Sequence, residues 1–286
     1  MGAITRLSLD IGEKTTLAST QPIIAECLAS GEWVKRYAGY MLFGLIAEPC
    51  ADSLKKNLDE AIKTASKGIQ DENARVRYTS LIAMAMLFAN LGPAVQYKYH
   101  AELMPVLIKL MLEEPLVKMQ AQATSAMLNF VTGLTNEDED EKDESKNVVS
   151  PQELMKNYSK GLLQALVVLL KKGIQEKYEP LTTEVLALIS TVAHVITSDF
   201  AEYYNDFMPL MTEILTNVGT KTMSEKNLRA KAIDSIGSMI IAVSDSENAD
   251  KFHGSVVEVT QHLTNLLKGK LEDDDPQDEA IKDTLT

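Results

Sequence analysis

The chain has 286 residues, and 41 Asp and Glu against 28 Lys and Arg leave a formal net charge of -13. That sign argues against nucleic acid or an anionic membrane as a partner and favours basic ones. A 45% hydrophobic fraction allows a sizeable core, and 6% aromatics with thirteen Met imply one built from adaptable aliphatic side chains.

The opening MGAITRLSL has no basic n-region before an apolar block, so no secretory signal is expected. Gly2 does not read as a myristoylation site, because Arg6 stands where Ser or Thr is required. No apolar run is expected to approach the roughly 18 residues of a spanning helix. Cys27 and Cys50 lie in apolar stretches read as helical, which fits a reducing compartment better than a disulfide framework. The expectation is a soluble, intracellular chain.

Taken in order, residues 3–12 read as a second helix without its partner. A short first helix over 20–30 precedes a second helix in WVKRYAGYMLFGLIAE, 33–48. Further first helices are predicted over 52–69, 95–113, 151–172, 200–218 and 249–269, with Pro105 and Pro209 bending or starting theirs. The second helices repeat. RVRYTSLIAMAMLFANL (75–91) aligns with 33–48 through Arg36-Tyr37 and Arg77-Tyr78, and MQAQATSAMLNFV (119–131) follows. LTTEVLALISTVAHV (181–195) and LRAKAIDSIGSMIIAV (228–243) continue the series, and Met-Pro recurs in register in AELMPVLIKLM and NDFMPLMTEIL. Strand signals are absent.

A helix pair repeated at a period slightly above 40 predicts an all-α chain, a right-handed α-solenoid of HEAT repeats. About six repeats are expected over 1–286 as a single solenoid: a partial repeat at 1–12, then 20–48, 52–91 and 95–134. An acidic insertion at 136–147 comes next, then 151–196, 200–243 and a truncated repeat at 249–286. Both ends read as cut, as in an excerpt of a longer protein. In the stretch 76–88 the core-facing set is Val76, Ser80, Ala83, Met84 and Leu87, with Leu81 against flanking helices. Asp71 in the turn and Arg77 in the helix behind it are placed to link neighbouring turns in a ladder. Trp33 is expected to pack at its turn, and Met41, Met84, Met86 and Met127 to line core or groove.

The search for chemistry returns little. His100, His194, His253 and His262 are scattered without partners at metal-ligand spacing, and no nucleotide-binding, nucleophile-elbow or zincin motif is present. The acidic run NEDEDEKDESKN (136–147) lacks calcium-loop spacing and reads as a solvated loop or an electrostatic lure for a basic partner. EDDDP (272–276) reads as a short polar turn. No catalytic residue, metal or cofactor is expected.

Several stretches in the same order resemble importin-β type karyopherins: AITRLSLDIG, GEWVKRYAGYMLFGLIAE, RVRYTSLIAM, AQATSAMLNF, YYNDFMPLM, ADKFH and EDDDPQ. What the resemblance implies is a middle segment of a nuclear transport receptor that shuttles between cytoplasm and nucleus as a monomer. Its implied partners are the basic nuclear-localisation segments of cargo proteins, Ran-GTP and Phe-Gly nucleoporins, with no direct nucleic acid and no membrane. Cargo would lie on a concave face made by second helices, whose off-core positions include Tyr37, Leu45, Glu48, Met86, Asn90, Asn129, Glu184, Thr191, Asp234 and Ser238. In such receptors acidic and Asn residues near the ends of these helices receive lysines. Glu48, Asn90 and Asn129 occupy such places and lead the candidate set, with Tyr37, Glu184 and Asp234 beside them. A carboxylate forms a charge-assisted bond to lysine, and an Asn amide offers an acceptor and donors to a main chain. Thr5 stands where the family often has Asp, and Asn90 where it is often acidic, which weakens the pull on lysine. The alternative is a HEAT-repeat scaffold of a phosphatase or another assembly, which would bind through its inter-helix turns; an enzyme is the least supported reading.

Overall fold

In the computed structural model the described residues are 3–135, 149–219 and 221–244, with isolated helical positions at 257, 260 and 264. The acidic insertion, EDDDP, ADKFH, the helix predicted over 249–269, the truncated last repeat, His253 and His262 lie outside them, apart from those isolated positions. The described residues form helices and no strand, the all-α repeat architecture that the spacing predicts. The chain divides into two compact units, Met1–Asn147 and Val148–Thr286.

The first unit runs α1 (Ala3–Ile11), α2 (Glu13–Ala29), α3 (Trp33–Leu45), α4 (Ala51–Lys56), α5 (Leu58–Gly68), α6 (Ala74–Leu91), α7 (Ala94–Glu113) and α8 (Val117–Gly133). Helices α2, α5 and α7 each pair with the helix that follows, and α3, α6 and α8 pack side by side in a row. Helix α6, in the middle, is buried almost all round. Val76, Ser80, Ala83, Met84 and Leu87 are buried as expected, and so are Leu81, Phe88 and Leu91. It touches α3 and α8 on its flanks and α5 and α7 in the adjoining layer, which explains why so apolar a helix stands behind so polar a turn. Met84 and Met127 are fully buried and Met41 and Met86 half-buried.

The second unit runs α9 (Pro151–Lys156), α10 (Ser159–Glu176), α11 (Glu179–Ile196), a 3-10 turn (Thr197–Glu202), α12 (Tyr204–Asn217) and α13 (Met223–Ser244). Again α10 pairs with α11, α12 with α13, and the second helices α11 and α13 lie together. Residues Glu179–Glu202 are long and apolar enough to cross a membrane by length and composition, which corrects the expectation that nothing approaches that length. The apolar side chains of α11, among them Leu181, Val185, Leu188, Ile189 and Val192, are buried against its neighbours.

Several boundaries differ from the sequence reading. Helix α2 starts at Glu13 rather than near residue 20, and its carboxylate accepts the backbone N–H of Ser53 (2.7 Å), a tertiary bond that no local pattern announces. The helix predicted over 52–69 is broken at Asn57, whose backbone leaves the helical region while its amide donates to the Ser53 carbonyl (3.0 Å). Cys50 precedes α4 instead of lying within a helix. Pro105 and Pro209 start no helix: α7 and α12 run through them. Both prolines are exposed while Leu103, Met104, Leu107 and Met111 of α7 are buried, so packing of the apolar stripe outweighs a local cost of about 3 kcal/mol.

In the turn DENARVR the side chains of Asp71, Asn73 and Arg77 are tied down by hydrogen bonds. The Asn73 side chain caps α6 by accepting the N–H of Arg75 (3.0 Å), and Asp71 accepts that of Asn73 (2.9 Å). Arg36 grips Asp71 with two bonds (2.7 and 3.0 Å) and donates to the carbonyls of its own turn, Ser30 (3.1 Å) and Gly31 (2.9 Å). One repeat on, Arg77 donates to the carbonyls of Asp71 (3.1 Å) and Glu72 (3.3 Å) and grips Glu114 (3.2 and 3.4 Å). Each guanidinium thus ties its own turn to the next, the ladder expected from Asp71 and Arg77. The series continues in amide form, with Gln120 donating to the Leu112 carbonyl (3.1 Å).

The bonds from Arg36 hold the Asp71 carboxyl below the usual carboxylate range, against burial, which pushes it up. A carboxyl that is more acidic folded than unfolded stabilises the fold above its unfolded pKa, about 3.9, and loses that contribution as pH falls through the folded value. Asp71→Asn is expected to cost about 1.5–3 kcal/mol at pH 7, the range for a hydrogen bond to a charged group. In urea unfolding the gap between the variant and the parent should narrow below roughly pH 4. A gap that stays constant at acid pH contradicts the ladder's electrostatic origin.

Candidate functional site

The C-terminal ends of α3, α6 and α8 share a chemical state. A helix leaves its last four carbonyls without intrahelical partners, and its dipole makes that end negative. None of these three helices places a basic residue in its last turn to offset this. Added side-chain acceptors therefore stand where the backbone is already electronegative.

Glu48 is exposed in the turn beyond Leu45, where α3 ends, and its carboxylate pairs with no cation among the described residues. Asn90, half-buried in the last turn of α6, donates its amide to the Met86 carbonyl (2.8 Å). Asn129, four residues from the end of α8, donates across to the Ala85 carbonyl of α6 (3.1 Å). A carbonyl can only accept, so in both amides the nitrogen must face the protein. Each Oδ1 is left without a donor among the described residues. Adjacent helix axes lie about 8–10 Å apart, so one carboxylate and two carbonyl oxygens stand at the same end of three neighbouring helices.

The other expected residues fall elsewhere. Tyr37 is half-buried near the start of α3, at the opposite end of that helix from Glu48. There it lines a cleft of about 330 Å³ with Tyr78, Arg75, Leu116, Lys118 and Met119. Glu184 is half-buried on α11 and Asp234 exposed on α13, both in the second unit. Thr5 is buried and donates to the Leu45 carbonyl (3.4 Å), so it braces the end of α3 from inside rather than facing a ligand.

Sequence reasoning missed the contents of that cleft edge. Arg75 lies over the Trp33 ring (5.1 Å to the centroid) and Lys118 over the Tyr78 ring (4.6 Å). Trp33 does begin its helix at the turn, half-buried, as expected. Each aromatic and its cation are separated by one repeat, and that periodic spacing was the available clue. Among the described residues no group of three His, Cys, Asp or Glu is disposed to hold a metal ion. His194 is exposed, and the thiols of Cys27 and Cys50 are free.

The amide bond of Asn129 gives it a packing role that Glu48 lacks. Asn129→Ala is expected to cost roughly 1 kcal/mol in urea unfolding, the net value of such a bond. Glu48→Ala should stay within about 0.5 kcal/mol of the parent, as for other surface changes. Equal losses in the two variants would contradict the geometry.

No family model matches the chain. Importin subunit beta-3 of Saccharomyces cerevisiae (strain ATCC 204508 / S288c) is 26% identical over 99% of this chain and 23% of its own length. Among solved structures, Kap121p bound to the extreme C-terminus of the protein phosphatase Cdc14p superposes with a TM-score of 0.78 at 23% identity, covering 99% of this chain and 24% of that one. Kap121p bound to RanGTP gives a TM-score of 0.71 at 23% identity with the same coverage. The chain therefore spans about a quarter of the length of the proteins it matches.

Proposed function

We infer that this chain, similar along its length to importin-β family karyopherins, is part of a nuclear transport receptor that grips basic segments of cargo on its row of second helices. The observation that carries the reading is the set of open acceptors at the C-terminal ends of α3, α6 and α8: the Glu48 carboxylate and the carbonyl oxygens of Asn90 and Asn129. A peptide in the polyproline II form advances about 3.1 Å per residue and returns its side chains to the same face at every third residue. Crossing helices about 8–10 Å apart, it presents a side chain to each acceptor at roughly every third position.

A lysine suits each place. Its ammonium donates three bonds without needing a fixed plane, so it can divide them among an amide oxygen, a carboxylate and helix-end carbonyls. The net charge of -13 supplies the long-range attraction that brings a cationic segment to the surface. Within the second unit, Glu184 and Asp234 are further candidate carboxylates on its own second helices, α11 and α13. The likeness supports, as parts of the same proposal, carriage between cytoplasm and nucleus, contact with Phe-Gly nucleoporins and release of cargo by Ran-GTP. In support, Kap121p has been crystallised bound to the extreme C-terminus of the protein phosphatase Cdc14p and, separately, bound to RanGTP. The chain works by binding, as a monomer, and not as an enzyme.

A fluorescent peptide with lysines at every third position should bind the chain with an affinity that falls as salt rises. Replacing Glu48 and Asn129 together by Ala should weaken it about tenfold, the equivalent of roughly 1.4 kcal/mol. Unchanged affinity in the double variant contradicts the site.

A further inference from the structure

The row formed by α3, α6 and α8 has a second chemistry at its other end. The acids Glu32, Asp71, Glu72 and Glu114 stand in the turns before the three helices, while the first turns themselves hold no acid, although the dipole favours one there, and carry cations. Arg36 and Arg77 are accounted for by the ladder. Arg75 and Lys118 are not. Both are exposed, both work against the dipole, and neither pairs with a carboxylate among the described residues. Each is held over an aromatic ring, Arg75 over Trp33 and Lys118 over Tyr78. A ring beneath a cation orients it without meeting its hydrogen-bonding capacity.

The cleft beside them has Tyr37 and Tyr78 as aromatic walls and Leu116 and Met119 as apolar ones, and no carboxylate lines it. In a chain of net charge -13 this is a local positive site with an apolar lining. Two cations placed where stability disfavours them, with no internal counter-charge, mark a place where a local rule is broken for a partner.

We propose that this cleft takes an acidic side chain, flanked by an apolar one, from the same extended peptide whose lysines meet the opposite helix ends. The proposal rests on the cargo reading above and adds a second specificity element to it. Charge complementarity selects the occupant: a carboxylate between Arg75 and Lys118, with the apolar neighbour against Tyr37, Tyr78 and Leu116. The helix sets the spacing. Tyr78 and Asn90 are twelve positions apart on α6, about 18 Å at ~1.5 Å per residue. An extended peptide covers that in roughly five or six residues. The chain would thus prefer basic segments with an acidic–apolar pair about that far from a lysine.

The test is fluorescence anisotropy at low salt on the whole chain and on Arg75→Gln/Lys118→Gln, with three labelled peptides. One carries the lysines and a Glu-Leu pair six residues away, one has Gln-Leu in its place, and one is a short Leu-Glu-Leu peptide without lysines. The Glu peptide should bind on the order of fivefold more tightly than the Gln peptide. That advantage should vanish in the double variant, which has lost two positive charges and should bind the lysine-bearing Gln peptide no more weakly than the parent does. Equal binding of the Glu and Gln peptides, or an advantage that survives the double variant, overturns the proposal. If no lysine peptide binds at all, the cargo reading fails on its own. The short acidic peptide then decides the cleft: binding by the parent and not the variant upholds it, and binding by neither or both overturns it.

Discussion

The structure depends on how closely α3, α6 and α8 approach one another and the helices behind them. One helix pair has more apolar surface than it can bury alone, so its second helix must lie against the next. Small residues make that contact close. A Cβ on Gly44 of α3 would sit 2.9 Å from the Ala83 Cα of α6, and one on Gly68 would strike both Tyr40 and Ser80. The Ser80 hydroxyl, fully buried, donates to the Ala65 carbonyl at 2.7 Å, and Phe88 meets Phe130 edge-on across α6 and α8 at 5.1 Å. Helices packed to this density do not slide freely, so side chains on successive helices keep a fixed spacing.

That fixed spacing gives the two ends of the row their different characters. At the N-terminal end the guanidinium groups of Arg36 and Arg77 stitch turn to turn, and Arg75 and Lys118 lie over aromatic rings. At the C-terminal end the last turns carry no basic residue, several end carbonyls are met by turn amides or by Thr5 and Gln96, and two Asn side chains use their nitrogens internally while leaving their oxygens available. The same interhelical bond that braces α8 on α6 orients the acceptor of Asn129. Packing and recognition are joined in one amide.

The repeat was legible because the ladder and the apolar stripe both recur with it. Arg36 and Arg77, with the tyrosine that follows each, align on sequence because each performs the same task against its turn. The burial of Val76, Ser80, Ala83, Met84 and Leu87 follows from helical spacing alone. What failed to show were features set by tertiary contact. Asn57 breaks a helix that its neighbours favour, Glu13 starts one by reaching to Ser53, and Pro105 and Pro209 are carried inside helices by the packing around them. In the candidate site, helical register and family likeness marked Glu48, Asn90 and Asn129. Tyr37 stands at the far end of its helix from those three, in the cleft with Arg75 and Lys118, and Thr5 faces inward. The pairing of Arg75 with Trp33 and of Lys118 with Tyr78 joins different repeats, and no local pattern within one helix displays it.

The account is tested most directly by amide hydrogen exchange of the chain with and without a saturating lysine-rich peptide. Exchange should slow in segments 44–50, 86–93 and 126–135, at the C-terminal ends of the three neighbouring helices. Slowing confined to the turns around 30–33, 71–74 and 114–117, with those three segments unchanged, would contradict it.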